Sequence, residues 1–190
     1  MKTNTLNLQL LIKGCRQHNR QSQRKLYEHF YGYGMNICLC YAKDKIEAEE
    51  MLNDGFLKAF VNISKYDPAY PFKAWLRKIL VNAAVDYYRK YQKYRLTFST
   101  DKLPEIVDDS TMIPQIGPQD NMLPILQELT HSYRMVFNLY VIEGYKHHEI
   151  AELLDISVGT SKSNLARAKA KLKALWLSKH GEAAKINKHG

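Results

Sequence analysis

Cysteine is scarce in this chain: three among 190 residues, Cys15, Cys38 and Cys40. Three thiols, two of them one residue apart, cannot frame a disulfide-stapled fold. They fit a reducing, cytoplasmic setting better. No apolar run approaches the roughly 20 residues that a membrane helix needs. The opening, MKTNTLNLQLLIKGC, has neither the long apolar core nor the small-residue cleavage site of a secretory signal. No stretch alternates convincingly enough for a strand, and no segment repeats. Acidic residues are also in short supply. Asp and Glu number 19 against 28 Lys and Arg, for a net charge of +9 and a pI near 9.3. That balance favours an anionic partner, with nucleic acid ahead of an acidic membrane surface.

Signatures of catalysis are missing too. There is no glycine-rich phosphate loop, nucleophile elbow or convincing acid–base pair. His147, His148 and Glu149 begin like a zinc-protease helix, but Glu152 stands where the second metal-binding histidine would be. Cys38 and Cys40 lie in an apolar stretch with no second ligand pair, so they read as core. The chemistry present is that of binding, with no enzyme activity, cofactor or metal implied.

What the chain does contain is concentrated between Tyr145 and Leu175, YKHHEIAELLDISVGTSKSNLARAKAKLKAL. Ile150, Ala151 and Leu154 fall on one face of a first helix at helical spacing. Asp155 and Ile156 make a corner, where Asp tolerates the left-handed backbone that Gly more usually supplies. Ser157 is placed to cap a second helix, with Thr160 in its first turn. Lys162, Arg167, Lys169, Lys171 and Lys173 then stud that helix. A short helix, a corner and a basic helix is the helix-turn-helix pattern, whose second helix enters the major groove of DNA. An ordinary helical hairpin with a solvated basic face is the plainer reading.

The N-terminal half is helical throughout. Leu8, Leu11, Ile12 and Cys15 form a short amphipathic helix, and Ser22 is placed to cap the next, which carries Leu26, Tyr27 and Phe30. Gly32 and Gly34 weaken that helix but permit close packing. Ala48, Met51, Leu52, Phe56, Ala59 and Phe60 share one face of a helix from Glu47 to Val61. Its other face mixes Glu50, Asn53 and Asp54 with Leu57 and Val61. Apolar residues there suit a docking surface, or are simply two exposed aliphatics. Pro68 and Pro71 make Lys65–Pro71 a loop.

A long helix starts at Phe72. Phe72, Trp75, Leu76, Ile79, Leu80 and Ala83 form its apolar stripe, and Lys78, Asn82, Arg89 and Lys93 line another side. It ends in DYYRKYQKYR, where tyrosines alternate with basic residues. Such a segment suits single-stranded nucleic acid, by base stacking and phosphate neutralisation. It equally suits a helix end whose tyrosines finish a core.

Composition changes again between Leu96 and Pro124, which holds four of the six prolines and a cluster of acidic residues. That stretch reads as a linker. The predicted architecture is therefore all-α, with two small helical domains joined by a flexible linker and a helix-turn-helix in the second. The boundaries fall at 1–95, 96–122 and 123–178, followed by a disordered tail over 179–190. Leu123–Leu129 and Tyr133–Ile142 supply two helices to pack beneath the helix-turn-helix.

Two of these stretches resemble one family. AEEMLNDGFLKAF (Ala48 to Phe60) and FKAWLRKILVNAAVDYYRK (Phe72 to Lys90) resemble region 2 of bacterial RNA polymerase sigma factors. The stretch from Leu123 to Leu175 resembles region 4. With only a linker between them, the layout is similar to that of the extracytoplasmic-function (ECF) group. The resemblance implies core RNA polymerase and promoter DNA as partners, an anti-sigma factor as a candidate third, and no membrane insertion.

It also implies roles for residues. Glu50, Asn53, Asp54, Leu57 and Val61 would dock on the clamp of the polymerase's largest subunit. The loop matching Lys65–Lys73, with Tyr66, Tyr70, Phe72 and Lys73, would accept a flipped base of the minus-10 element. Trp75, Lys78, Asn82, Arg89 and Lys93 would hold the opened strand. Ser157, Thr160, Lys162, Ser163, Asn164, Arg167 and Lys171 would serve minus-35 recognition. Two positions depart from the family pattern. Ser161 stands where an aliphatic is usual, and needs a hydrogen-bond partner. Asn164 stands where arginine is frequent. The competing function is a stand-alone helix-turn-helix regulator, which would have no use for a single-strand site.

Overall fold

The computed structural model describes residues 2–98 and 122–186. All regular structure among the described residues is helical: α1 (Lys2–Arg16), α2 (Arg20–Tyr41), α3 (Lys45–Val61), α4 (Phe72–Phe98), α5 (Leu123–Gln127), α6 (His131–Phe137), α7 (His147–Leu154) and α8 (Val158–Ile186). The chain divides into two compact units, Met1–Asp86 and Tyr87–Gly190, so α4 contributes to both. The sequence placed the first boundary at 95 instead. The last turns of α4 group with the second unit because Tyr88 is buried there and its hydroxyl donates to Ser132 Oγ at 3.1 Å. Most of the expected linker, from 99 to 121, lies outside the described residues, as do 187–190. The helix α8 runs on to Ile186, through most of the stretch read as a disordered tail.

In the first unit the helix starts follow from local chemistry. The side chain of Asn19 accepts from Ser22 N at 2.9 Å, so Asn19 caps α2. Ser22, expected to be that cap, lies inside the first turn. Asp44 caps α3 by accepting from Glu47 N, while Glu47 Oε2 reaches back to Lys43 N at 2.8 Å. The apolar stripes of α2, α3 and α4 close into one core around Leu26, Met51, Leu52, Leu76 and Leu80, all fully buried. Their close approach depends on Gly55. A Cβ there would lie 2.5 Å from Leu80 Cδ2, a contact no side chain makes without repacking. Gly34 likewise faces Leu52 and Phe56, whereas nothing crowds Gly32. Burial pushes the Cys15 thiol up to about 11 and the Cys38 thiol to about 12, so both stay neutral in the protein interior.

In the second unit α6 and α7 pack on α8 around Met135, Leu139, Ile150, Leu154, Leu165, Ala168 and Leu172. The helix expected over Tyr133–Ile142 is α6 followed by a π-helical turn, Asn138–Ile142. Arg134 is buried, and its Nη1 donates to Gln127 O at 3.1 Å, tying α5 to α6. Asp155 closes α7 with φ 54° and ψ 52°, the left-handed corner that the sequence required. Ser157 Oγ then accepts from Thr160 N at 2.9 Å and starts α8.

Candidate polymerase and nucleic-acid interfaces

The polar face of α3 is open. Glu50, Asn53, Asp54, Leu57 and Val61 recur at three- and four-residue steps, and all are exposed. Leu57 is 62 % and Val61 72 % accessible, although both are aliphatic. Asn53 is oriented by Tyr27, whose hydroxyl donates to its Oδ1 at 3.0 Å. Lys58 pairs with Asp86 at 2.7 Å across to α4, beside this strip. The strip thus sets an exposed aliphatic pair beside the carboxylates of Glu50 and Asp54.

The loop between α3 and α4 is anchored by aromatic stacking. Tyr66, Phe72 and Trp75 form a triangle with ring centroids 5.2–5.4 Å apart. Tyr66 and Phe72 are buried, and Trp75 is half-buried. Burial holds the Tyr66 phenol above its usual pKa, so it stays a donor, and it donates to Tyr70 O at 2.7 Å. Tyr70 projects into solvent. Lys73 lies 5.3 Å from the ring of Tyr33, a cation–π contact, and its carbonyl accepts from the Tyr33 hydroxyl. Beyond the loop, Lys78, Asn82, Arg89 and Lys93 follow one exposed side of α4.

Not all of that side is free. Arg89 Nη2 donates to Glu152 O at 3.0 Å. The described tyrosines at the end of α4 are also partly engaged. Tyr88 is buried, and the rings of Tyr87, Tyr88 and Tyr91 surround His131 with centroids 5.0–6.2 Å away. Tyr88 thus completes a core, as the plainer sequence reading has it, while Tyr91 keeps an exposed edge.

On α8 the expected DNA-facing residues separate into two groups. Lys162 and Lys171 are exposed, Ser157 stands at the exposed N-terminus, and Thr160 and Arg167 are half-exposed. Ser163 and Asn164 are only 7 % and 8 % accessible. Ser163 Oγ donates to Thr160 O within its own helix. These two therefore belong to the packed side of α8, and the open basic surface is carried by Lys162, Arg167 and Lys171. Helical spacing misses this because α8 is covered over more than one face. Ser161 is fully buried, and His147 Nδ1 from α7 lies 3.0 Å from its hydroxyl.

One participant has no signature in the sequence. Arg16, at the end of α1, donates from Nη2 to Tyr66 O at 2.7 Å and from Nε to Ile63 O at 3.5 Å. It thereby ties α1 to the loop some fifty residues away, which only the tertiary structure reveals. No group of potential metal ligands occurs among the described residues. Nor is any described helix long and apolar enough to cross a membrane.

Comparison with known proteins adds the following. Residues 26–94 match the family described as Sigma-70 region 2, and residues 120–172 match Sigma-70, region 4. The chain is 30% identical over 154 residues to the ECF RNA polymerase sigma factor SigM of Bacillus subtilis, covering 80% of this chain and 93% of that protein. It is 29% identical over 151 residues to the ECF RNA polymerase sigma factor SigW of the same organism, covering 71% and 79%. A solved structure of CnrH in complex with the cytosolic domain of CnrY aligns with a TM-score of 0.45 at 21% identity, covering 90% of this chain and 98% of that one.

Proposed function

From the premise that this chain belongs to the sigma-70 family, in its ECF group, we propose a division of labour along its length. The protein is a promoter-specificity subunit of RNA polymerase, directing core enzyme to promoters and promoting DNA opening. The observation that carries this is the order of the two matched regions, region 2 at 26–94 and region 4 at 120–172, in a chain that spans 93% of a 30% identical sigma factor. A stand-alone helix-turn-helix regulator is not favoured, because it would leave the first of these regions without a task.

In this reading the exposed strip of α3 docks on core polymerase. Its apolar centre supplies buried area, and Glu50 and Asp54 set orientation against basic residues of the partner. The 66–72 loop captures a base from the opened minus-10 strand. An extruded base has lost its stack and pair, at a cost of a few kcal/mol, and aromatic walls return part of that. Asn82 can offer a donor and an acceptor to a base edge. In the second unit Arg167 and Lys162 read and hold the minus-35 duplex, with Lys171 on phosphate. The protein acts in the cytoplasm by binding rather than by catalysis of its own. It needs no cofactor, since the polymerase performs the chemistry.

Run-off transcription with purified core enzyme tests the reading. Addition of this chain is expected to produce discrete transcripts from a promoter subset that core alone ignores. If the chain binds operator-like DNA tightly without core and yields no transcripts with it, the regulator reading replaces this one.

A further inference from the structure

A cavity of about 730 Å³ opens between α1 and the 66–72 loop. That is within the roughly 300–1,000 Å³ of small-molecule sites. Tyr66, Tyr70 and Phe72 contribute rings to its loop side, beside two prolines, and its α1 side includes the polar Gln9 as well as Lys13 and Arg16. A planar base can be sandwiched between such walls.

The polar groups are distributed unevenly. Pro68 and Pro71 carry no N–H, and the loop's own bonds are local turn contacts, Tyr70 N to Asp67 O at 3.1 Å and Ala69 N to Asp67 Oδ1 at 2.9 Å. Arg16 ties the loop to α1 from outside, donating to the carbonyls of Ile63 and Tyr66. Tyr70 O is taken by the Tyr66 hydroxyl. The charged residues that line the cavity, Lys13 and Arg16, are both cations, and Arg16 is engaged with the loop. Lys13 is exposed at the cavity, and no carboxylate pairs with it among the described residues. An aromatic slot beside an unpaired ammonium matches a nucleotide, with its base in the slot and its phosphate on the cation.

We infer that α1 is part of the single-strand site: Arg16 is a positioning residue that fixes the capture loop, and Lys13 binds the phosphate of the captured nucleotide. This rests on the reading of the 66–72 loop as the base-capture element, and adds to it a helix that lies outside both matched regions' loop and groove residues. Lys13 then acts on every base alike, because a phosphate contact carries no sequence information. Arg16 acts on base preference, because it sets the shape of the slot.

The test uses the full chain with core enzyme and fork-junction promoters whose exposed minus-10 position carries each of the four bases in turn. Lys13→Ala is expected to weaken binding to all four by a similar factor, about threefold to tenfold, and to lower the salt dependence by about one counterion. Lys13→Arg should restore both. Arg16→Ala should compress the spread of affinities among the four bases, with partial recovery in Arg16→Lys, while affinity for core is unchanged. A Gly/Ser replacement of residues 66–72 is run alongside. If that replacement abolishes base preference but the Lys13 and Arg16 variants match the parent, the role of α1 is wrong and base capture by the loop stands. If the replacement leaves base preference intact, both fall. If Lys13→Ala changes which base is preferred, the phosphate assignment is overturned.

Discussion

The Nδ1 of His147 on α7 lies 3.0 Å from the hydroxyl of Ser161 on α8, and Ser161 is wholly buried. A polar bond thus crosses the corner of the helix-turn-helix. His147 is also stacked on Tyr140, with ring centroids 4.5 Å apart. The hydroxyl that a sequence reading flags as needing a partner has one, supplied by a residue that first looked like part of a metal motif.

The bond makes an asymmetric prediction. His147→Phe keeps an aromatic ring against Tyr140 but leaves the Ser161 hydroxyl without its imidazole, at a cost of about 1–3 kcal/mol. Adding Ser161→Ala removes the stranded group and should recover much of that loss. Urea denaturation of the two variants and the parent measures it. A double variant less stable than His147→Phe would mean that the bond does not hold the corner.

Core binding should depend on the open strip of α3. Asp54→Arg with Leu57→Glu is expected to abolish association with core polymerase and leave the fold intact, since both side chains are exposed. Pull-down with core enzyme, alongside circular dichroism of the free variant, decides it. A folded double variant that still binds core would displace the docking face from α3.

Three residues of α8 should give three different phenotypes. Arg167→Ala should cost about 1–3 kcal/mol and relax preference at one or two minus-35 positions. Lys171→Ala should weaken all sequences alike. Asn164→Ala should lower thermal stability with little change in sequence preference, because Asn164 is 8 % accessible. Selection over randomised promoters separates them, and an unchanged profile for Arg167→Ala would remove that residue from readout.

Stability should fall with acid through His131. Burial first, and Arg134 second, lower its pKa from 6.5 to about 4. Between those values the unfolded chain takes up a proton that the folded chain refuses. The stabilisation is therefore full above about pH 6.5 and is lost as pH falls towards 4, by on the order of 2–3 kcal/mol. The difference between the parent and His131→Phe, followed by urea denaturation across this window, isolates the effect from that of the carboxylates. Parallel pH profiles would show that His131 is not held neutral.

Much of this was legible in the sequence because it is written in local rules. The Asp155 corner, the Ser157 cap, the stripe of α3 and the two-proline loop each follow from residue chemistry within one or two turns. What escaped depends on contacts between distant segments. Asn19 rather than Ser22 caps α2, a choice between two good caps that only the backbone path decides. Arg16 reaches the loop from another helix. Ser163 and Asn164 point into a second packing face of α8, which periodicity around a single face cannot register. Tyr88 lies in a core, and its alternation with basic residues is compatible with either surroundings.

Permanganate footprinting of unpaired thymines on a duplex promoter tests most directly the claim that this chain brings core polymerase to promoters and opens them. Core enzyme with the parent chain is expected to expose thymines around the minus-10 element, and core alone is not. A chain with residues 66–72 replaced by Gly/Ser should still bind core and occupy the promoter, yet leave the thymines protected, with partial rescue on a pre-opened template. Thymines that stay protected with the parent chain, or that become equally reactive with the loop replacement, would contradict the account.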